Sequence, residues 1–313
     1  MSRLQLAWDD TLAPVQLSQV RTLLGAAAAA DGVEPVGEQV VRSLTRPAAR
    51  TPHLLAELDG GVLGYAHLDA PDLDGPDLDA PHPAAPPFAE LVVHPDCRRA
   101  GVGAALLAGV RSVGGVDTRV WAHGDLAPAR ALAASAGLVV VRELWQLRLD
   151  LESVPLPELA ERADVRLRTY VAGPDDAAVL AVNNAAFARH PEQGGWTGGE
   201  LAERRAESWF DAGGFFLATD AGTGELLGFH WTKVHPAEGG QPALGEVYVL
   251  GVSPAAQGRG LGQLLTLAGL HHLRAAGVRT VLLYVEGNNT AAGHTYGRLG
   301  FTRFHVDRVY GAR

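Results

Sequence analysis

Residues 246–265 read EVYVLGVSPAAQGRGLGQLL. An apolar strand from Glu246 to Val252 is followed by a turn carrying Pro254, a loop with glycines at 258, 260 and 262, and the start of an apolar helix. A loop between strand and helix turns its backbone N–H groups toward one point, where the positive end of the helix dipole adds to them. That combination holds a pyrophosphate. A dinucleotide fingerprint would require glycine where Gln263 stands, and a phosphate loop of the Gly-Lys-Ser/Thr type is absent. What remains is the hexapeptide Gln257, Gly258, Arg259, Gly260, Leu261, Gly262, of the form Gln/Arg-x-x-Gly-x-Gly.

The pattern occurs twice. Leu91 to Leu107, LVVHPDCRRAGVGAALL, repeats strand, turn, glycine loop and helix 159 residues earlier, and Trp121–Leu138 matches Tyr284–Phe301 at a displacement of 163. Two copies make a tandem pair of domains, whereas a solenoid needs at least three. The fold class that follows is α/β (α+β): two tandem domains, 1–150 and 151–313, each a mixed central sheet flanked by helices. Their junction falls in LESVPLPELAERAD, 151–164, where charge and proline interrupt the apolar pattern.

In the second half, alternation predicts a strand over 165–170 and a hairpin of 215–219 with 226–234 around the DAGTGE turn. Further strands are expected at 246–252 and 280–285, and helices at 176–188, 201–209, 260–276 and 290–299. The first half follows the same order, interrupted by a proline-rich insert, 71–87, expected to be a flexible surface loop. Around Leu250, Gly251 and Val252 the strand must leave amides unpaired if a ligand is to lie along it, and Gly251 is where a bulge costs least.

Composition sets outer bounds. With 47% apolar and 19% charged residues among 313, each half can bury a core. A net charge of −9 argues against nucleic acid as a partner. A lone cysteine, Cys97, rules out an internal disulfide and a cysteine-built zinc site. No signal pattern and no run long enough for a bilayer occur, so the expectation is a cytoplasmic monomer without metal or membrane contact.

The two glycine loops resemble the acyl-CoA-binding motif of GCN5-related N-acetyltransferases, here in tandem. LLYVEGNNTAA, TYGRLGF, HPEQGGWT and GFHWTKVHP are similar, more narrowly, to the branch of that family that acetylates the cysteinyl amine of a cysteine–glucosamine–inositol conjugate. The resemblance implies acetyl-CoA as cosubstrate and direct transfer to a small-molecule amine. It implies that Leu250, Gly251, Val252, the loop from Gln257 to Gln263, and Asn289, Thr290, Ala291, Ala292, Gly293 and His294 hold the cosubstrate. In the first half the matching positions are Leu91, Val92, Val93, Arg99, Ala100, Gly101, Val102, Gly103 and Ala104. Glu246 is the candidate base, since an α-amino group with a pKa of about 7.7 to 8.0 needs only a modest one, and Tyr296 resembles the family's general acid. Glu38, Glu192, Lys233, Glu246 and Tyr284 would face the acceptor, Glu38 reaching over from the first half.

Each assignment has an ordinary alternative: a solvated glutamate at a strand end, a glycine kept for packing, a core tyrosine, a surface lysine, an exposed helical histidine. In the first half, Pro87 and Ala133 stand where Glu246 and Tyr296 do, with Glu90 three residues away. That half therefore retains a phosphate loop, strengthened by Arg98 and Arg99, without the catalytic pair. Cys97 matches Ala256 beside the loop, away from any thioester carbonyl, which excludes a covalent acyl-enzyme. Acetylation of another amine, aminoglycoside-like or a protein N-terminus, and a non-catalytic acyl-CoA-binding role remain as rival readings.

Overall fold

The computed structural model describes residues 3–44, 52–69, 86–188, 193–237, 240 and 242–313. Nearly all of the proline-rich insert and Glu192 lie outside the described residues. In chain order the elements begin with β1 (Gln5–Asp9), α1 (Pro14–Asp31), α2 (Glu38–Ser43), β2 (His53–Leu58), β3 (Gly61–Asp69), β4 (Phe88–Val93) and α3 (Val102–Gly114). Then follow β5 (Arg119–Ala122), α4 (Ala127–Ser135), β6 (Val139–Asp150), β7 (Val165–Thr169), α5 (Asp176–Ala186) and α6 (Gly198–Arg205). The chain continues with β8 (Phe215–Asp220), β9 (Leu226–His235), β10 (Leu244–Val252), α7 (Leu261–Ala275), β11 (Thr280–Glu286), α8 (Thr290–Arg298) and β12 (Thr302–Gly311).

These elements pack as two units, Met1–Leu144 with His305–Arg313, and Trp145–Phe304. The change of unit falls inside β6, ahead of the expected boundary after residue 150, and the C-terminal segment belongs to the first unit instead of the second. The reason is pairing: β12 sets Arg308, Val309 and Tyr310 against Ala122, Trp121 and Val120 of β5. Side chains reinforce the ladder, Asp307 accepting from the Gly124 N–H at 2.7 Å while Arg308 and Tyr310 both donate to the buried Asp125 at 2.6 Å.

In the first unit the strand order is β1-β2-β3-β4-β5-β12-β6. Along β3 the side chains alternate between faces, as the two-residue period of a strand requires. Tyr65 joins the cluster that α1 and α2 cover with Val20, Leu23 and Val40, while Ala66 and Leu68 join the cluster under Leu106 and Val110 of α3. Burying a leucine such as Leu106 completely is worth roughly 1.5 to 3 kcal/mol, so both faces contribute to holding the sheet.

The second unit carries the order β6-β11-β10-β9-β8-β7, with β6 represented by its residues from Trp145 onward. Leu265, Leu270 and Leu273 of α7 are fully buried against it. The opposite side holds an aromatic cluster in which Phe215 and Trp231 stack at 4.6 Å. α6 starts at Gly198, three residues before the expected helix, because Thr197 and Glu200 form a capping box: the Thr197 N–H donates to the Glu200 carboxylate at 2.9 Å and Thr197 Oγ1 accepts from the Glu200 N–H. It ends at Arg205, so Trp209 stands outside the helix in which the sequence placed it.

Candidate active site

In the second unit the parallel pairing of β10 with β11 is short. Leu244, Gly245 and Glu246 pair with Thr280, Val281 and Leu282, and the register goes no further. On its other edge β10 stays paired with β9 as far as Val252 opposite Gly228. Beyond Glu246 the two parallel strands therefore part, and the peptide groups of 247–252 that would have met β11 are left to another partner. Backbone polar groups are costly to leave unmade, so an extended amide-containing chain laid into the fork would satisfy them.

The bulge lies elsewhere than expected. Register slips between Val247 and Val249, at Tyr248, while Gly251 pairs regularly with Phe229. Gly251 is needed for space: a Cβ there would come within 2.8 Å of the Phe229 ring. The extra residue at Tyr248 re-aims its side chain, and the Tyr248 ring meets Trp209 edge-on at 4.8 Å.

Past the fork, Gly258 and Gly260 both take left-handed backbone, φ +78° and +73°, and Gly260 is the N-cap of α7. Alternation of left- and right-handed residues turns successive N–H groups inward, making a concave anion site at the helix N-terminus. A Cβ at Gly262 would meet no protein atom within 4 Å. Internal packing thus gives no reason for glycine there, and the open space suits a ligand that lies close to the backbone. The loop is braced by residues the sequence reading missed: Arg162 donates to the Arg259 carbonyl at 2.7 Å, and Arg259 pairs with Asp164 at 2.9 Å. Hydrogen bonds from Arg162 and Arg259 hold the Asp164 carboxyl well below its ordinary range.

Glu246 stands at the fork with its side chain 12% exposed, and its Oε2 accepts a hydrogen bond from His235 Nε2 at 2.7 Å. His235 was not among the expected site residues. The signal lay in the spacing of GFHWTKVHP, since Lys233 and His235, two apart on β9, share a face, and Lys233 is the register partner of Glu246. Lys233 itself is buried, its ammonium 4.9 Å from the Trp209 ring centroid and 5.5 Å from that of Tyr248. It is no solvated surface lysine, and cation–π attraction fixes its position.

Tyr296 of α8 is buried among Val247, Val285, Leu299 and Phe301, with Leu250 and Ala292 packed against the same cluster. Its hydroxyl has no hydrogen-bond partner among the described residues, and burial raises its pKa above that of a free phenol. Asn289 caps α8, its side-chain oxygen accepting from the Ala292 N–H at 3.1 Å. His294 is exposed. Tyr284 is nearly half exposed, and its hydroxyl accepts from Gln146 at 2.7 Å. Glu38 is at the start of α2 in the first unit, exposed and paired with Arg42 at 2.8 Å. His272, on α7, packs against Phe216 and pairs with Asp211 at 3.1 Å.

The first unit repeats the fork, β4 and β5 pairing through Glu90 and Trp121. It contains a cavity of about 400 Å³ lined by Leu91 to Val93, Arg99, Gly101, Gly103 and Ala104. Val102 points into the core instead. Arg98 is committed to Asp31 through two hydrogen bonds of 2.8 and 2.7 Å, leaving Arg99 as the cation the loop adds. The carboxylate nearest the fork, Glu90, accepts from His123 at 2.9 Å and from the Gly37 N–H at 2.5 Å. Ala133, at the position of Tyr296, offers no proton donor.

No group of three or more His, Cys, Asp or Glu side chains suited to a metal occurs among the described residues, and no helix among them is long and apolar enough to cross a membrane. A forked parallel strand pair leading into a left-handed glycine loop and a helix is the architecture of a GNAT acetyltransferase. Residues 183–301 match the model of the acetyltransferase (GNAT) family. Two solved structures share the fold: a GCN5-related N-acetyltransferase from Sphaerobacter thermophilus, with a TM-score of 0.72 and 22% identity over 97% of this chain and 94% of that one, and a tandem GNAT protein from the clavulanic acid biosynthesis pathway, at 0.70 and 23% over 98% of each. The mycothiol acetyltransferase of Nocardia farcinica is 54% identical over 100% of this chain and 99% of its own, and that of Mycolicibacterium smegmatis 53% over 97% and 98%. The chain belongs to the mycothiol acetyltransferase family.

Proposed function

We propose that this chain transfers acetyl from acetyl-CoA to the cysteinyl amine of a cysteine–glucosamine–inositol conjugate, giving mycothiol, and that the second unit does the chemistry. Acetyl-CoA supplies an activated thioester. The residues suited to hold it are the open edge of β10 at Leu250, Gly251 and Val252, whose amides fit the pantetheine arm, and the loop from Gln257 to Gln263, whose N–H groups fit the pyrophosphate.

Glu246 takes a proton from the acceptor's ammonium on the oxygen that His235 leaves free, and the neutral amine then attacks the thioester carbonyl. Placed where the strands part, it can reach an amine that enters the fork beside the acyl group. Tyr296, kept as a neutral phenol by burial, has a proton to give to the departing thiolate, and its packing with Leu250 sets it against the open stretch of β10. Lys233, held by Trp209 and Tyr248, and Tyr284, held by Gln146, offer fixed polar heads for a polyol acceptor. Held side chains lose little entropy on binding, which favours selectivity.

The first unit binds acyl-CoA in its 400 Å³ cavity without turning it over. It has the loop, but Glu90 is tied by two donors, and Ala133 stands where the second unit has Tyr296. The single observation that carries the reading is the position of Glu246: a shielded carboxylate at the last paired residue before the fork, in the unit that also holds Tyr296. Mass spectrometry after incubation with acetyl-CoA and the conjugate tests it. One added acetyl group on the amine is the expected product, and acetyl-CoA left intact alongside unmodified conjugate would exclude the activity.

A further inference from the structure

We infer that His235 is a positioning residue for the base: it holds Oε2 of Glu246 so that Oε1 is presented to the amine. This rests on the reading of Glu246 as the base. His235 Nε2 lies 2.7 Å from Glu246 Oε2, at the short end for a charge-assisted hydrogen bond. Toward an ionised carboxylate the imidazole nitrogen must be the donor, because two lone pairs at that distance would repel. Among the described residues Glu246 accepts no other hydrogen bond, so the second oxygen is uncommitted. A carboxylate on a freely rotating stem would spread its basic lone pairs over several directions. One fixed hydrogen bond from a neighbouring strand removes that freedom.

The placement of the pair supports a working role over a packing one. His235 is 38% exposed, whereas Glu246 is largely shielded, so the imidazole forms the solvent-facing side of the carboxylate. The first unit provides the contrast. Glu90 there also receives a histidine, His123 at 2.9 Å, yet the Gly37 N–H takes the same oxygen at 2.5 Å and His123 is flanked by Asp307 at 3.7 Å. In that pair each partner has a second contact, the carboxylate with Gly37 and the imidazole with Asp307. Among the described residues, the Glu246 and His235 side chains have no hydrogen bond or ion pair beyond the one they share.

The test is a set of four variants of the full chain: His235→Ala, His235→Gln, Glu246→Gln and the double variant His235→Ala/Glu246→Gln. His235→Ala is expected to lower kcat about ten- to a hundredfold, the range for losing a hydrogen bond to a charged group, with KM for acetyl-CoA unchanged. His235→Gln, whose side-chain amide can donate from a similar place, should recover most of that loss. In the Glu246→Gln background, His235→Ala should have no further effect, because the group it positions is gone. Wild-type kcat in His235→Ala overturns the inference, as does an equal fold-loss in the presence and absence of Glu246. Failure of His235→Gln to recover activity in a folded protein overturns it too. If Glu246→Gln alone keeps the wild-type rate, the base assignment itself fails, an outcome the other arms cannot mimic.

Discussion

Arg99 and Gly258 occupy the same place in the two glycine loops and the same left-handed backbone, at φ +66° and +78°. Glycine adopts that conformation without steric cost, and a side chain does so at roughly 1 to 2 kcal/mol. Arg99→Gly should therefore stabilise the first unit by up to about 1 kcal/mol, and Gly258→Ala should destabilise the second by about as much. Urea unfolding followed by tryptophan fluorescence checks both signs. Equal shifts in the same direction would mean the loops are not equivalent.

The strain at Arg99 also shows what the sequence could tell. The two loops were legible because their spacing is local: glycines, proline and an apolar helix start lie within one short stretch. The exchange of terminal strands was not. VVVRELWQLRLD and TRFHVDRVYG both alternate as strands should, and nothing within either chooses β5 or β11 as its neighbour. The choice is made by distant contacts, Arg308 and Tyr310 onto Asp125. Likewise the bulge could be expected near Gly251 from conformational cost alone, but the Phe229 ring occupies the space that fixes Gly251 in register, and Tyr248 takes up the irregularity. His235 escaped notice because its value comes from register with a strand eleven residues away, which a linear reading does not supply.

Gly251→Ala places a methyl group 2.8 Å from the Phe229 ring, and overpacking of this kind costs typically 1 to 3 kcal/mol. The displaced backbone is the edge on which the acyl arm would lie, so KM for acetyl-CoA should rise together with the loss of stability. Phe229→Leu, by making room, should restore both when combined with Gly251→Ala. Persistence of the KM defect in a double variant of normal stability would place the effect on the amide itself.

Tyr296→Phe keeps the ring packing against Phe301 and removes only the hydroxyl. The expected result is a kcat lower by about 10² to 10⁴, the usual worth of a general acid, with acetyl-CoA affinity and melting temperature near those of the parent. An unchanged kcat across the pH range would take Tyr296 out of the mechanism.

Buried histidines give the stability a definite pH window. Burial lowers both His67 and His230 to about 4. The unfolded chain takes up protons there near pH 6.5 that the folded chain refuses, so stability falls as pH drops from about 6.5 toward 4. His123 acts in the opposite direction: burial works against its charge, but the Asp307 and Glu90 carboxylates beside it prevail and raise it to about 10. Its contribution is complete below about 6.5 and is lost as pH climbs through 10. Urea midpoints measured from pH 4 to 10 should peak between the two limbs, and His123→Gln should flatten the alkaline limb alone.

The two halves divide the labour, the first binding acyl-CoA and the second turning it over, and paired glycine variants separate the two roles. Gly260 and Gly101 are both left-handed N-caps, at φ +73° and +85°. An aspartate at either place adds backbone strain and puts a negative charge where a pyrophosphate would sit. Calorimetric titration with acetyl-CoA, run alongside rates for the same samples, reads both properties. Two binding events are expected in the parent. Gly101→Asp should lose one and stay within a fewfold of the parent rate, and Gly260→Asp should lose the other together with all turnover. A folded Gly101→Asp that is inactive, beside a Gly260→Asp that still turns over, would move the chemistry to the first unit and overturn this division.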